Sequence, residues 1–195
     1  MKGQVVCVVG KTRSGKDSIA KVILKELGDR AALIKFADPC KRYVEEVYNL
    51  PHGAMELEEY RQSLIPGTNK TFLDLLKHSF SAYDSVDAMF WKHKTFRDIT
   101  DAILFDKIVI LSDIRHPSEA NFVTQLSCPV TLVRVDRDGC ELIEPDKHLK
   151  ANWSMLTFNT KRLAAVHRYY NEGSLEQLES WVKSTLGCLQ PTYII

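Results

Sequence analysis

The chain has 195 residues, of which 45% are hydrophobic and 26% charged. This length suits one domain, and the composition is that of a globular protein, which excludes disordered and fibrous classes. Lys and Arg number 26 against 25 Asp and Glu, a net charge of +1, so no overall field draws the chain to nucleic acid or to an acidic membrane.

Neither a membrane span nor a secretion signal is evident in the sequence. A span needs about 20 consecutive apolar residues, and the apolar run Val5 to Val9 is too short for a signal-peptide core. We therefore expect a cytoplasmic protein. The cysteines are odd in number and widely separated, which argues against a disulfide framework or a structural zinc site; they are Cys7, Cys40, Cys128, Cys140 and Cys188.

The first forty residues predict a strand, a loop, a helix and a second strand. Residues 4–9 form an apolar, β-branched run typical of a strand buried on both faces of a parallel sheet. After a loop at 10–15, apolar residues recur at helical spacing from Lys16 until Gly28. Residues 31–36 predict the next strand. Such a β-α-β unit implies a parallel sheet with helices on its faces.

The middle of the chain predicts helices and no strand. The predicted helices cover 40–48, 55–64, 71–82 and 86–105, separated by Pro51, by Pro66-Gly67 and by a polar stretch near Asp84. A simple crossover does not need so much helix. We therefore predict a helical insertion over about 40–106 that binds a second substrate.

The rest of the chain returns to an alternation of strands and helices. Strands are predicted at 107–112, 130–135 and 165–169, and helices at 117–126 and 175–186. Ser174 and Gln177 form a capping box before the last helix. We interpret the polar segment 137–153 as a mobile loop or lid. The whole is predicted to be a single α/β domain with a mainly parallel sheet.

Residues 10–16 match the pattern GxxxxGK directly after a strand and open a helix. In this arrangement glycines let the backbone wrap around a phosphate chain, N–H groups point inward, and the helix N-terminus favours negative charge. Lys16 is expected to reach the terminal phosphates. The alternative is an ordinary glycine-rich turn. The predicted binding residues are Gly10, Lys11, Thr12, Arg13, Ser14, Gly15, Lys16, Asp17 and Ser18.

Asp17 occupies the position where this pattern usually has a Ser or Thr that binds magnesium. A carboxylate is able to coordinate Mg²⁺ directly or through water, and Ser18 offers a hydroxyl one residue later. Asp17 is therefore a candidate metal ligand. The alternative is a first-turn acid that only complements the helix dipole.

Lys11 and Arg13 add two positive charges inside the loop. Nucleotide switches mostly lack such charges, whereas a kinase must neutralise the charge on a phosphoryl group that passes between two anionic substrates. This favours phosphoryl transfer to a charged acceptor. The alternative is that both side chains are merely solvated.

Charged residues also follow the second and third predicted strands. Carboxyl ends of parallel strands form the ligand crevice of such sheets, which makes Asp113 a candidate metal ligand and Arg115 a bidentate clamp for an acceptor phosphate. An Asp–Arg surface pair is the competing explanation. After the second strand, Lys41 and Arg42 are expected to begin a helix, and Phe36 either contacts a base or fills the core.

Four segments together resemble the bacteriophage-type deoxynucleoside monophosphate kinases of the P-loop kinase superfamily: GKTRSGKDS, KFADPCK, LSDIRHPSEANF and YNEGSLEQL. The resemblance covers both ends of the chain and the sheet, and matches the helical middle only loosely. It implies a three-layer α/β/α fold of the nucleoside monophosphate kinase type, with a lid. A viral source would place the protein in the host cytoplasm.

The function implied by this resemblance is ATP-dependent phosphorylation of a (deoxy)nucleoside 5′-monophosphate. Lys16, Arg13, Arg115 and the lid residue Arg137 are expected to supply positive charge, and Asp17 and Asp113 to hold Mg²⁺. The residues expected to bind the acceptor are Asp38, Lys41, Arg42 and Arg115. Animal-type phosphomevalonate kinases share the basic loop and the strand-end S-D-x-R, and are one alternative. A P-loop nucleotide switch without an acceptor is another, and a homodimer remains open.

Overall fold

A computed structural model describes residues 3–11, 13–87, 90–114, 117–140 and 162–186. The strands are β1 (Gln4–Gly10), β2 (Ala31–Ile34), β3 (Ile108–Leu111), β4 (Val130–Asp136) and β5 (Ala165–Tyr170). The helices are α1 (Lys16–Leu27), α2 (Asp38–Val47), α3 (Glu58–Gln62), α4 (Phe72–Val86), α5 (Phe90–Leu104), α6 (Pro117–Gln125) and α7 (Leu175–Leu186).

The five strands form one parallel sheet in the order β2-β3-β1-β4-β5. This confirms the predicted α/β class with a mainly parallel sheet. Because all strands run the same way, the segments that follow β1, β3, β4 and β5 emerge at one edge. That edge is where ligands bind in open α/β sheets.

β1 is the central strand, and Val5 to Val9 are 0–1% exposed, so helices cover both of its faces. One cluster joins sheet residues such as Val6 and Val133 to α1 and α7. Each fully buried aliphatic side chain of this kind stabilises the fold by about 1.5–3 kcal/mol. The end of α5 lies so close to the start of β1 that a Cβ on Gly3 would be 2.7 Å from the Ile103 carbonyl oxygen.

The predicted helix boundaries of α1 and α7 are confirmed. Gly28 ends α1 with a φ of 54°, a conformation that glycine adopts without strain. At α7, the Ser174 N–H donates to Gln177 Oε1 at 3.1 Å and the Gln177 N–H donates to Ser174 Oγ at 3.4 Å. The capping box therefore has both of its hydrogen bonds.

The chain divides into two compact units. The first holds the sheet and comprises the described residues of 1–35 and 99–195; the second comprises 36–98. The second unit has its own apolar core, formed by Cys40, Val44, Ala54, Met55, Ile65, Phe72, Leu76 and Trp91. Within it, the buried Glu45 accepts hydrogen bonds from the N–H groups of Gly53 at 3.1 Å and Met55 at 2.9 Å.

Four sequence predictions differ from the structure. The predicted break near Asp84 falls inside α4, which continues to Val86. β2 ends at Ile34 instead of Phe36, because Phe36 is buried in the second unit, where its ring lies edge-to-face 6.0 Å from that of Phe96. The helix predicted at 55–64 is a 3₁₀ turn at 54–56 followed by α3, separated by the extended Leu57. α2 begins at Asp38, so Lys41 lies beyond its first turn.

None of the helices in the described ranges combines the length and apolarity needed to cross a membrane. The cysteines in those ranges are free thiols: Cys7, Cys40, Cys128 and Cys140. Burial raises the pKa of Cys7, and it raises the pKa of Cys40 to about 12, so both behave as small apolar residues.

Candidate functional site

The loop after β1 has a backbone shape that requires glycine at two positions, Gly10 and Gly15. A Cβ on Gly10 would lie 2.5 Å from the Val135 carbonyl oxygen and 2.6 Å from Ser14 Oγ, so only glycine fits there. Gly15 has a φ of 96° and leads directly into α1, which begins without a side-chain cap. The first N–H groups of α1 have no acceptors within the helix, which leaves them available to an anion.

Two other residues of the loop carry unusual features. Arg13 has a φ of 65°, a backbone conformation that is uncommon outside glycine. Ser14 is fully buried, and its hydroxyl has no hydrogen-bond partner within the described residues. A strained backbone and an unpaired buried hydroxyl next to each other are features that cluster at functional sites.

Asn171, which follows the edge strand β5, forms a side-chain hydrogen bond with the loop. It follows β5 directly, and its side-chain Nδ2 donates to the Ser14 carbonyl oxygen at 2.7 Å. Its own backbone N–H donates to the Asp136 carbonyl oxygen at 2.7 Å. Asn171 thus connects the ends of β4 and β5 to the loop that follows β1.

Lys16 and Asp17 open α1 with opposite charges. The Lys16 side chain is 15% exposed, and its Nζ lies 4.0 Å from Asp17 Oδ2. The Asp17 side chain is 64% exposed, and its Oδ1 accepts a hydrogen bond from Ser112 Oγ at 3.2 Å. The Asp17 carboxylate is therefore held between the lysine and the residue that follows β3.

An open cleft of about 450 Å³ lies beside the start of α1. It is lined by Ser18, Arg137, Asp138, Asn171, Glu172, Gly173, Ser174, Leu175 and Leu178. Its size is in the usual range for a small-molecule site. Its lining combines two leucines of α7, Leu175 and Leu178, with polar groups from the segments after β4 and β5.

A second cleft of about 190 Å³ has Lys11, Asp136, Arg137, Asp138 and Arg168 in its lining. Lys11 and Arg13 are exposed, and Arg137 Nη1 donates to the Arg13 carbonyl oxygen at 3.5 Å. The structure thus brings Arg137 to the loop.

Charges at the β4 and β5 ends are fixed by hydrogen bonds. Burial raises the pKa of the Asp136 carboxyl, but hydrogen bonds from Arg168 at 2.6 Å and Arg134 at 3.1 Å outweigh it and hold this pKa below its ordinary value. Tyr170 donates its hydroxyl to Asp138, which raises the pKa of Tyr170 to about 12. At neutral pH Asp136 is ionised and Tyr170 is a donor.

Oxygen ligands for a divalent cation are present near the loop. Within the described ranges no cluster of three or more acidic, histidine or cysteine side chains is present. The exposed Asp17 carboxylate is nevertheless a hard oxygen donor, which is the type that Mg²⁺ prefers when phosphates and water complete its shell. Asp113 is half-buried and lies two residues beyond β3.

Three of the four candidate acceptor residues, Asp38, Lys41 and Arg42, lie in the second unit, and two of them are ion-paired there. Lys41 Nζ lies 2.6 Å from Glu56 Oε1, and Arg42 Nη2 lies 3.0 Å from Asp98 Oδ2. Asp38 is the first residue of α2. Thr12, Arg115 and the predicted lid beyond Cys140 lie outside the described residues, so their roles stay predictions.

Asn171, Ser112 and the arginines around Asp136 are not among the site residues predicted from the sequence. A signal for Asn171 was available, because it follows the last strand of a parallel sheet, at the edge where the glycine-rich loop also emerges. Ser112 likewise follows β3. The arginine pairs could not be inferred, since they depend on the register Arg134↔Arg168 between β4 and β5.

No family model matches the chain, and no curated protein matches it in sequence. Solved structures do match. A dephospho-CoA kinase from Campylobacter jejuni has a TM-score of 0.55 at 13% identity, covering 97% of this chain and 99% of that one. A candidate kinase from Chloroflexus aurantiacus has a TM-score of 0.47 at 11% identity (97% and 98% covered). A sugar kinase from Janibacter sp. HTCC2649 has a TM-score of 0.38 at 15% identity, covering 95% of this chain and 94% of that one.

At such low identity the likeness concerns the fold alone, and of these three structures the dephospho-CoA kinase has a TM-score above 0.5. The chain therefore shares the overall α/β fold of this dephospho-CoA kinase. A shared fold does not define a function, which depends on the residues of the site.

Proposed function

We propose that the protein transfers the γ-phosphoryl group of ATP to a nucleoside 5′-monophosphate, with deoxynucleotides as the preferred acceptors. The observation that carries the proposal is the loop between β1 and α1. Gly10 and Gly15 allow close approach, the uncapped start of α1 offers N–H groups, and Lys16 is largely buried beside them. Together these features support binding of a nucleotide's phosphate chain.

The donor nucleoside is assigned to the 450 Å³ cleft. This cleft adjoins the first turn of α1 through Ser18 and reaches Leu175 and Leu178 of α7. A purine placed there would lie on apolar side chains. The exposed Asp138 and Glu172 add acceptors for an exocyclic amino group, which supports adenine over bases without such a donor.

The acceptor is assigned to α2 and to Arg115. Asp38, Lys41 and Arg42 all belong to α2, and the two cations would need to exchange a carboxylate partner for the acceptor phosphate. The acceptor oxygen is already a nucleophile, so the protein has to position both substrates, neutralise charge and exclude water. Mg²⁺, when bound, neutralises charge on the donor phosphates, and Asp17 and Asp113 are the oxygen donors that would hold it, with the Ser112 hydroxyl hydrogen-bonded to Asp17.

The test is a panel of acceptors with the purified full chain and Mg-ATP. ADP release is measured with each common deoxynucleoside and ribonucleoside monophosphate and with phosphomevalonate, and the product is identified by phosphorus NMR. We expect turnover that depends on a nucleoside monophosphate. Turnover with phosphomevalonate alone would favour the other kinase class, and slow hydrolysis that no acceptor stimulates would favour a nucleotide switch.

In the same assay, Lys16→Ala tests whether the loop between β1 and α1 binds the transferred phosphoryl group. Loss of a cation at the transferred phosphoryl group should lower kcat at least about a hundredfold. Lys21→Ala is the matched control, since Lys21 is an exposed lysine of the same helix. Near wild-type turnover by a folded Lys16→Ala chain would contradict the assignment.

A further inference from the structure

The side chain of Asn171 forms a long-range hydrogen bond with the backbone of the loop after β1. Its Nδ2 donates to the Ser14 carbonyl oxygen at 2.7 Å, from a residue 157 positions away in the chain. The contact needs the absence of a side chain at Gly15, because a Cβ there would lie 2.2 Å from the same Nδ2. The loop glycine and the asparagine therefore fit each other.

The peptide between Ser14 and Gly15 is the group that this contact controls. In a trans peptide the C=O and N–H vectors point in opposite directions. Holding the Ser14 carbonyl toward Asn171 therefore aims the Gly15 N–H away from β5. Glycine offers little resistance to rotation of its peptide, so an external anchor is what distinguishes one orientation of this peptide from the flipped one.

The anchor is itself fixed. The Asn171 backbone N–H donates to the Asp136 carbonyl oxygen at 2.7 Å, and the Asp136 side chain is held by Arg134 and Arg168. The side-chain amide is thus presented from a paired strand end instead of from a free loop. A group held in this way is suited to orient another backbone group.

We propose that Asn171 is a positioning residue for the phosphate loop, which fixes the Ser14–Gly15 peptide so that the Gly15 N–H faces the bound phosphates. This deepens the proposed function, on which it rests for the identity of the ligand. Asn171 acts through the loop and not through the base, although it also lines the 450 Å³ cleft.

The two roles predict different ligand dependence, and inorganic tripolyphosphate separates them because it has no base. Asn171→Leu keeps a side chain of similar shape without charge or donor, and Asn171→Asp keeps the size but loses the donor. Affinities for ATP and for tripolyphosphate are measured by calorimetry. We expect each variant to weaken both ligands, with Asn171→Leu losing about tenfold on each.

Two control variants test whether the effect comes from the cleft or from the type of substitution. Glu172→Gln alters the same cleft beside Asn171 and should leave tripolyphosphate affinity unchanged. Asn121→Leu repeats the substitution at an exposed position of α6 and should change neither affinity. Asn171 variants that lose ATP but keep tripolyphosphate would overturn the proposal in favour of a base contact, and unchanged affinity for both ligands would overturn it as well.

A measurement on the wild-type chain does not depend on how the variants fold. The Asn171 side-chain amide should give a nitrogen–proton NMR resonance that shifts when tripolyphosphate binds, because its acceptor is part of the loop. A resonance that stays in place at saturation would overturn the proposal. Neither readout involves an acceptor, so failure of acceptor-dependent turnover with these results intact would reject the proposed function and leave the positioning role standing.

Discussion

Asp17 replaces a hydroxyl residue at the start of α1, and its surroundings suit a metal ligand. Its side chain is 64% exposed, with one oxygen accepting from Ser112 and the other 4.0 Å from Lys16 Nζ. A carboxylate that only complemented the helix dipole would not need the hydroxyl partner. The Ser112 contact instead resembles an outer-shell hydrogen bond that orients a metal ligand.

We predict that Asp17→Ser lowers activity and raises the Mg²⁺ concentration at half-maximal rate about tenfold or more. The measurement is a Mg²⁺ titration of the rate at saturating ATP and acceptor. Asp101→Ser, which removes an exposed carboxylate from α5, is the control and should leave the titration in place. An unaltered rate and titration in Asp17→Ser would return Asp17 to the role of a first-turn acid.

Lys41 tests the acceptor assignment at the level of one ion pair. Its side chain is 15% exposed and its Nζ lies 2.6 Å from Glu56 Oε1. An acceptor phosphate that binds Lys41 would compete with the Glu56 carboxylate for the same ammonium group. Partly exposed pairs of this kind are each worth about 0.2–1 kcal/mol, so the competition is measurable but small.

We therefore predict that Glu56→Gln lowers the KM of the acceptor by about two- to fivefold with kcat little changed. Glu58→Gln removes the same charge from the same unit, where Glu58 pairs with Arg61, and should leave this KM unaffected. A KM that is equal in both variants and in the wild type would mean that Lys41 has a structural role.

At the scale of elements, Glu45 connects α2 to the 3₁₀ turn at 54–56. Both of its oxygens accept backbone N–H groups, and the residue is only 6% exposed. A buried N–H group left without an acceptor costs about 1–3 kcal/mol. The shape of this part of the second unit therefore depends on one carboxylate.

Glu45→Ala is predicted to destabilise the chain by at least about 2 kcal/mol, measured by urea unfolding, and to accelerate hydrogen exchange of the Gly53 and Met55 amides. Glu46→Ala, one residue along on the exposed side of α2, should have little effect. Equal stability of the two variants would show that water satisfies the two amides after the carboxylate is removed.

This carboxylate also explains why sequence analysis failed at 55–64. The apolar spacing there fits one helix, but Glu45 captures the Gly53 and Met55 amides in a tight turn, and Leu57 becomes extended. Similarly, Phe36 extends the apolar run of β2 but is buried in the other unit. Long-range contacts decided both cases, and local periodicity does not contain them.

The elements of the sheet were predictable because each has its own local signal. β1 is a continuous apolar run, Gly28 stops α1, and Ser174 with Gln177 caps α7. The glycine-rich loop between β1 and α1 belongs to the same group, since its glycines, its lysine and the helix that follows are contiguous. Asn171 does not, because its partner is 157 residues away.

At the scale of the whole molecule, the predicted donor residues and three of the four predicted acceptor residues fall in different compact units. The glycine-rich loop after β1 and the 450 Å³ cleft belong to the unit that holds the sheet. Asp38, Lys41 and Arg42 belong to the unit formed by 36–98. Each unit has its own apolar core, so each can respond to its ligand by a local change in amide protection.

We predict that each ligand, added alone, slows amide hydrogen exchange in its own unit. A non-hydrolysable ATP analogue should slow exchange in 10–18 and 171–175, because it occupies the loop and the cleft. A deoxynucleoside monophosphate alone should slow exchange in α2 at 38–47. Lys16→Ala should abolish the first effect and leave the second, since Lys16 belongs to the donor side only. Protection of 10–18 by the monophosphate with none in 36–98 would contradict the acceptor assignment, because the acceptor would then be using the donor's phosphate loop.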